Sequence, residues 1–270
     1  QEINDQGGLN FRVGSRNPND QVQVAILRDG RAQTLTARVQ TLLSGLVAEL
    51  PALRRPVDAG TKVTDPVARR MVQAVRPYED TFVTPMAAVA GAVADEILAA
   101  VLAEHHAGKI YVNNGGDVAF HLETGHQVTA EGPAGPIHIT AGDSARGLAT
   151  SGWRGRSHSL GIADAVTVAA TTAAAADVAA TLIANAVDLP GHPAIRRVPA
   201  RALSPDSDLG DRLVTTDVGA LDAAEIVAAL ARGQALANSL CRRGLIDQAV
   251  LGLAGRTVHA THTQGAIPNV

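Results

Sequence analysis

The chain has 270 residues, which is long enough to bury a large core without disulfides or a structural metal. Apolar residues make up 46% of it and aromatic residues only 2%, so we expect a core of Ala, Val, Leu and Ile side chains in closely packed layers. The net charge of −3 argues against a nucleic-acid-binding protein, and the single cysteine, Cys241, excludes a disulfide within the chain and suits a reducing compartment.

Membrane and targeting signals are not expected in this sequence. The most apolar segment, residues 85–102, is interrupted by Asp95 and Glu96, so it does not predict a membrane span. Residues 1–20 show no secretory signal and are expected to be a flexible or added N-terminal segment. We therefore predict a cytoplasmic protein in which residues 21–270 form one domain, without a membrane partner and with homo-oligomerisation left open.

The first half of the chain alternates between strand and helix patterns. A strand is predicted over residues 21–27, followed by a turn at Asp29-Gly30. Three helices are predicted next, over residues 32–50, 66–78 and 86–105. Asp65-Pro66 and Thr84-Pro85 begin the last two, because each pair combines a capping side chain with a proline in the first turn. Gly91 within the third helix indicates a close approach to another backbone.

Short strands dominate the second half. They are predicted over residues 109–122 as strand, turn and strand, and then near 126–130, 136–140, 148–151, 164–169, 248–253 and 256–261. Helices are predicted over residues 172–187 and 221–243, and residues 190–211 are predicted to be a long connection. The pattern predicts an α+β fold, with a mixed or antiparallel sheet flanked by apolar helices.

The helix over residues 172–187 carries an isolated polar stripe. Asp177, Thr181 and Asn185 are spaced four residues apart and therefore share one face, among apolar neighbours. A carboxylate in such surroundings is unfavourable unless it is hydrogen-bonded, paired or bound to a cation. Two interpretations follow. Asp177 caps a neighbouring loop while Thr181 bonds back to the helix, or the two side chains offer oxygen ligands to a hard cation such as Mg²⁺.

Two glycine-rich segments could line a ligand site. The turn from Asn113 to Asp117 contains Gly115 and Gly116, which permit positive φ angles and a close backbone approach, as both a phosphate site and a tight hairpin require. The segment from residue 149 to 164 gathers hydroxyl and basic side chains around glycines. It is interpreted either as an anion-binding loop or as a solvated loop, and His158 is its candidate general base.

Taken together, these motifs resemble the uncharacterised protein family 0280, a branch of the ApbE-like (FAD:protein FMN transferase) superfamily. The similar segments are PMAAVAGAVADEI at 85–97, YVNNGGDVAFHL at 111–122, ATSGWRGRSHSLGIADAVTVAA at 149–170, DVAATLIANAVD at 177–188 and SDLGDRLVT at 207–215. The resemblance implies an ApbE-like fold and a flavin nucleotide held with Mg²⁺. It implies a cofactor-binding set of Asn114, Gly115, Gly116, Asp117, Thr150, Ser151 and Gly152, and a metal-binding pair of Asp177 and Thr181.

The sequence departs from the flavin transferases at two points. Ala90, before Gly91, stands where the transferases have a lysine, and His158 leads into SLGIAD without their Asp-Pro segment. The expected function is a metal-dependent transferase acting on a flavin- or nucleotide-like ligand, with His158 or Asp164 as base. The alternatives are an accessory protein in sulfur or cofactor metabolism, as suggested for some archaeal relatives of this branch, and an inactive small-molecule binding module.

Overall fold

The structure of the protein, a computed structural model, describes residues 22–28, 31–37, 39–132 and 134–261, with side chains from residue 45 onward. The predicted N-terminal segment, residues 1–20, lies outside the described residues. The strands are β1 (Val22–Arg28), β2 (Arg31–Ala37), β3 (Lys109–Asn114), β4 (Asp117–Leu122), β5 (Gln127–Gly132), β6 (Gly135–Thr140), β7 (Gly147–Ser151), β8 (Ala165–Ala170), β9 (Ile195–Pro199), β10 (Leu213–Val218), β11 (Gln248–Leu253) and β12 (Arg256–Thr261). The helices are α1 (Val39–Leu53), α2 (Pro66–Val75), α3 (Val89–Glu104), α4 (Ala173–Ala186), α5 (Ala200–Leu203) and α6 (Ala223–Arg242).

A six-stranded sheet, in the order β12-β11-β8-β7-β4-β3, forms the centre of the molecule. Every pair of neighbours in it is antiparallel. Helices α3, α4 and α6 pack on one face, and the two-stranded β5–β6 sheet packs on the other. The predicted α+β class is confirmed, and the sheet is of the antiparallel kind.

Two separate cores lie on the two faces of this sheet. On the helical side the core is dominated by alanine, valine, leucine and isoleucine side chains, as the composition predicts. On the other side Tyr111 and Phe120 of the sheet pack against Val128, Ile137 and Ile139 of the β5–β6 sheet. Two of the few aromatic rings thus lie where a two-stranded sheet, rather than a helix, covers the central sheet.

Helix α3 is long and apolar enough to cross a membrane when it is counted with the preceding turn, as residues Pro85–Glu104. Here it is a core helix, with Ala92, Ala94, Ile97 and Val101 buried against the rest of the protein. Gly91 lies where an added Cβ would overlap the carbonyl group of Ala173 in α4, so the predicted close backbone approach is confirmed. The first turns of α3 and α4 therefore touch.

The prediction of a helix over residues 32–50 is wrong for its first part. Residues Arg31–Ala37 form β2, which pairs with β1 through the register Arg28↔Arg31, and only then does α1 begin. An Asp-Gly pair between two strand patterns favours a hairpin over a continuous helix, and the sequence has such a pair at positions 29 and 30. The helix also continues past Leu50 and includes Pro51 in its last turn.

The connection predicted over residues 190–211 contains regular structure. Strand β9 and the short helix α5 lie within it, and β9 pairs with β10, which was not predicted either. The β9–β10 ribbon has a register shift between Thr215 and Asp217 and is only partly buried, so its sequence lacks a regular alternation. The other helices and strands lie close to their predicted positions, including the capping box of Asp222 and Glu225 that begins α6.

Candidate functional site

Helices α3 and α4 cap each other. The carboxylate of Asp95 in α3 accepts the N–H groups of Ala173 and Ala174, at 3.0 and 2.9 Å, in the first turn of α4. In the other direction, Oδ2 of Asp177 in α4 accepts the N–H of Gly91 at 3.2 Å in the first turn of α3. Ala88, at the N-cap of α3, has no side-chain group that can do this. Each helix therefore receives from the other an acceptor for backbone donors at its N-terminus, and in α4 the Thr172 hydroxyl accepts a further N–H.

The β3–β4 hairpin reaches the same place. Gly115 and Gly116 form its two-residue turn with φ angles of 70° and 118°, which confirms the predicted positive-φ geometry. The turn is fixed by the N–H of Gly116, which donates to Oδ1 of Asn113 at 2.9 Å. Nδ2 of Asn114 donates to the carbonyl of Ala90 at 3.0 Å, and this bond ties the hairpin to the first turn of α3.

Asp117 and Asp177 lie close enough to repel each other, although they are 60 positions apart in the sequence. Burial is the largest cause that raises the pKa of Asp177 well above its ordinary value, and the charge of Asp117 raises it further. Burial likewise raises the pKa of Asp117, against the opposing effects of the Thr150 N–H and of the Arg156 guanidinium. Two carboxylates that share a desolvated site cannot both ionise easily without a cation.

Arg156 approaches the turn from the loop after β7. Its Nη2 donates to the carbonyl of Gly115 at 3.1 Å, and an added Cβ on Gly115 would overlap this guanidinium. The same positive charge lowers the pKa of Asp117. Because Gly115 has no side chain, the Arg156 guanidinium can lie directly over the hairpin turn.

Thr150, Ser151 and Gly152 lie at the end of β7, on the side of Asp117. The backbone of Thr150 hydrogen-bonds to the Asp117 carboxylate, while its hydroxyl is 2.9 Å from that of Thr167 in β8. Gly152 has a φ of 154° and packs so closely on the carbonyl of Asp164 that a Cβ would overlap it. The structure therefore brings the Gly-Gly turn and the Thr-Ser-Gly segment to the same edge of the sheet.

The polar stripe on α4 divides into two parts. Thr181 is half-buried, and its hydroxyl makes no hydrogen bond to any residue that the structure describes, including the helix backbone. By contrast, Oδ1 of Asn185 accepts the Ser159 hydroxyl and the Leu160 N–H, at 3.2 and 2.9 Å. Asn185 therefore holds the loop before β8, and Thr181 keeps a free oxygen one turn from Asp177.

The two candidate bases have other partners than this pair. Nε2 of His158 is 3.3 Å from the hydroxyl of Ser204, at the end of α5. Asp164 accepts hydrogen bonds from the indole of Trp153, the guanidinium of Arg154 and the N–H of Ala254. No described contact joins either side chain to Asp117 or Asp177.

Asp95 is the residue that sequence reasoning missed. It was interpreted only as an interruption of an apolar segment, yet a carboxylate inside an apolar helix is the signal that singled out Asp177. Burial raises the pKa of Asp95, and its charge in turn raises that of Asp177. Asp95, Asp117 and Asp177 are thus three desolvated carboxylates around the contact of α3 with α4.

The donor set at this contact fits a hard cation. In the described part of the chain, no group of three or more His, Cys, Asp and Glu side chains forms a ready metal cage. The Asp117 and Asp177 carboxylates and the Thr181 hydroxyl supply oxygen atoms alone, which is the chemistry that Mg²⁺ prefers, with further positions left to water or phosphate. A cation would also relieve the repulsion of the two carboxylates.

Comparisons with known proteins give the family of this chain. It is 42% identical over 125 residues to a UPF0280 protein of Methanopyrus kandleri, a match that covers 44% of this chain and 48% of that protein. It is 35% identical over 139 residues to a UPF0280 protein of Methanothrix thermoacetophila, covering 49% and 56%. The chain thus spans about half the length of the curated relatives it matches. A family model described as "AbpE bacteria" matches residues 10–259, and the chain therefore belongs to that family.

Proposed function

We propose that this protein binds a flavin- or nucleotide-like molecule together with a divalent cation, most simply Mg²⁺, at the Asp117–Asp177 pair. An ApbE-like fold and membership of the wider ApbE-like superfamily are part of the proposal. The observation that carries it is the proximity of two desolvated, half-buried carboxylates beside a Gly-Gly turn. Without a cation, that arrangement keeps the pKa of both groups raised and is unfavourable at neutral pH.

The proposed site contains a cation-binding set and a cofactor-binding set of residues. Asp177, Thr181 and Asp117 would hold the cation, which in a transferase would neutralise pyrophosphate charge and stabilise a leaving phosphate. The positive φ angles of the hairpin leave open backbone against which a ring or a phosphate can lie. The cofactor-binding set would consist of Asn114, Gly115, Gly116, Asp117, Thr150, Ser151 and Gly152.

His158 is the base that we retain for such a reaction. Its one hydrogen-bond partner among the described residues is the Ser204 hydroxyl, 3.3 Å from its Nε2. Asp164 would first have to release the N–H donors of Trp153, Arg154 and Ala254. We further propose that the protein acts in the cytoplasm on a small molecule.

A second candidate function is supported by Ala90. Its carbonyl accepts Nδ2 of Asn114, and its backbone also favours the charged form of Asp177, so it lies at the site. The resemblance implies a lysine at this position in the flavin transferases, and here no amine is supplied. An accessory role in sulfur or cofactor metabolism, or plain ligand binding, would use the same pocket without phosphoryl transfer.

Thermal unfolding with FAD, FMN and ADP, each with and without MgCl₂, tests the proposal. We expect at least one nucleotide to raise the melting temperature in the presence of Mg²⁺ and little in its absence. Asp177→Asn and Asp117→Asn should abolish the Mg²⁺-dependent part. Asp247→Asn is the matched control, because that carboxylate bonds to Ser144 outside the site.

Mass spectrometry of material released by heating the purified protein gives an independent readout. A flavin or adenine nucleotide in the supernatant would support the proposal, and FMN transfer to a protein would select the transferase over the second candidate. If none of the nucleotides stabilises the protein with Mg²⁺ and heating releases no small molecule, the proposal is contradicted.

A further inference from the structure

A cavity lies beside Asp95 of α3 and the beginning of α4. It has a volume of about 230 Å³ and is lined by α2, by the helical turn Arg76–Tyr78 and by the beginning of α4. Its polar lining residues are Arg70, Gln73, Tyr78, Asp95, Thr171 and Thr172. Asp117, Asp177 and Thr181 do not line it. At roughly 30 Å³ per water molecule, it would take several waters, or one compact organic molecule.

Tyr78 is the unusual group in this cavity. The residue is only 6% exposed and lines the cavity, and its hydroxyl makes no hydrogen bond to any described residue. Desolvation raises the pKa of Tyr78 to about 12, so at neutral pH the group is a neutral O–H donor. Because this hydroxyl has no hydrogen-bond partner among the described residues, it is available to donate to an acceptor that enters the cavity.

Arg70 supplies positive charge at the same cavity. Its Nε donates to Oε2 of Glu96 at 2.8 Å, which fixes the guanidinium while leaving both Nη groups without a described partner. A second guanidinium, that of Arg243, donates to the carbonyl of Pro77 at 2.6 Å. Its positive charge lowers the pKa of Tyr78, against the larger effect of burial. Free guanidinium donors in a fixed orientation suit a carboxylate or a phosphate.

The negative groups nearby are already paired. Asp95 accepts the N–H groups of Ala173 and Ala174, and Glu96 is paired with Arg70. The N-terminus of α4 points toward the cavity and attracts anions through its dipole, although its first N–H groups are taken by Asp95 and Thr172. The remaining donors are therefore those of Arg70 and Tyr78.

We propose that this cavity is a second binding site, which takes a small oxyanion with a carboxylate or phosphate group on a short carbon skeleton. The Nη groups of Arg70 bind the anionic oxygens, and the Tyr78 hydroxyl donates to one of them. The volume excludes a dinucleotide, since pockets for drug-sized ligands run from about 300 to 1,000 Å³. The site is independent of the nucleotide site proposed above.

Isothermal titration with three probes tests this proposal. Succinate and inorganic phosphate represent the two sources of an oxyanion, and succinamide is the uncharged analogue of succinate. We expect one or both anions to bind and succinamide not to bind. Tyr78→Phe, which removes one oxygen, should weaken the binding about tenfold, since a hydrogen bond to a charged group is lost. Arg70→Gln should abolish it.

The controls use the other tyrosine and the neighbouring arginine. Tyr111→Phe removes a phenol that is 2% exposed on the opposite face of the sheet, and Arg69→Gln removes an exposed charge of α2 outside the cavity lining. Both should bind the anion as the unmodified protein does. Asp177→Asn should also bind the anion in metal-free buffer, whether or not the protein binds a nucleotide.

Binding of succinate alone would identify the ligand as a carboxylate, and binding of phosphate alone as a phosphate compound. Failure of both anions to bind would overturn the proposal. Equal binding of succinamide, undiminished binding by Tyr78→Phe, or a loss confined to Asp177→Asn would also overturn it, because each places recognition elsewhere or makes it independent of charge.

Discussion

The carboxylate of Asp177 caps a helix to which it does not belong, because its Oδ2 accepts the N–H of Gly91 at 3.2 Å in the first turn of α3. An N-cap is normally supplied by a residue adjacent in sequence. Here it comes from 86 positions away, and the residue that supplies it also faces Asp117. The Asp177 side chain thus both caps α3 and places a negative charge near Asp117, and substitutions can separate the two roles.

Asp177→Asn should keep the cap and remove the charge. The amide oxygen can still accept the Gly91 N–H, while the repulsion with Asp117 disappears. In metal-free buffer we therefore expect the free energy of unfolding to be unchanged or raised, as measured by chemical denaturation. Asp177→Ala, which removes the acceptor, should be less stable than Asp177→Asn by about 0.5–2 kcal/mol. Equal stability of the two variants would show that the bond to Gly91 contributes nothing.

The stability of the metal-free protein should depend on pH through the same pair. Burial raises the folded-state pKa values of Asp117 and Asp177, and the charge of Asp117 raises that of Asp177 further, so the fold favours their protonated forms. Their contribution is fully present below the ordinary carboxylate pKa of about 4 and is lost as the pH rises through the raised values. Because cations bind the deprotonated groups, the stabilisation by Mg²⁺ should increase over the same range.

Denaturation of the unmodified protein and of Asp177→Asn between about pH 4 and pH 8 measures this effect, because the range begins near the ordinary carboxylate pKa and extends above it. The stability of Asp177→Asn relative to the unmodified protein should rise with pH. Asp95, whose pKa burial also raises, is present in both proteins and largely cancels in the difference. A difference that is constant over the range would contradict the assignment of raised pKa values to the pair.

Gly91→Ala should destabilise the protein, although alanine is normally favoured over glycine inside a helix by about 1 kcal/mol. The added Cβ would overlap the carbonyl group of Ala173, which is backbone and cannot move aside. We expect a loss of about 1–3 kcal/mol in the free energy of unfolding, typical of an overpacked core. Gly142→Ala is the control, because an added Cβ there would lie 3.7 Å from its nearest neighbour. A neutral Gly91→Ala would mean that the two helices can separate at little cost.

Gly116→Val tests backbone strain without steric overlap. No atom lies within 4 Å of the position of an added Cβ, but the φ angle of 118° is one that L residues rarely adopt. The substitution should therefore cost about 1–3 kcal/mol and weaken any ligand bound at the hairpin. Gly142→Val provides the comparison at a glycine without positive φ. If the two variants have the same melting temperature, the hairpin can change its turn type and the strain argument fails.

The sequence predicts the fold well where a local signal is strong. Asp65 and Asp222 cap the helices that they were expected to begin, and the hairpin around Gly115 and Gly116 has the expected turn. The signal is weak where a ribbon is half-exposed, as for β9 and β10, because neither face is uniformly apolar. For β1 and β2 the sequence carries two conflicting signals. The Asp-Gly pair favours a hairpin, whereas the helical spacing over residues 32–50 favours a helix, and the chain forms the hairpin.

The candidate site is predictable only within single elements. Spacing along α4 singles out Asp177 and Thr181, and the glycine pair singles out the turn before Asp117. The proximity of Asp117 to Asp177, and the exchange of caps with Asp95, depend on how α3 and α4 cross. Periodicity within a helix carries no information on such a crossing, so this part of the site required the structure.

The single tryptophan of this chain lies in the loop that follows Thr150-Ser151-Gly152. Its indole N–H donates to Asp164 at 3.2 Å, and the guanidinium of Arg154 stacks 4.8 Å from its ring centre. Intrinsic tryptophan fluorescence of this protein therefore reports on one known loop and on nothing else. Any rearrangement that separates Arg154 or Asp164 from the ring changes the emission, so movement at this edge of the sheet can be followed in real time without a label.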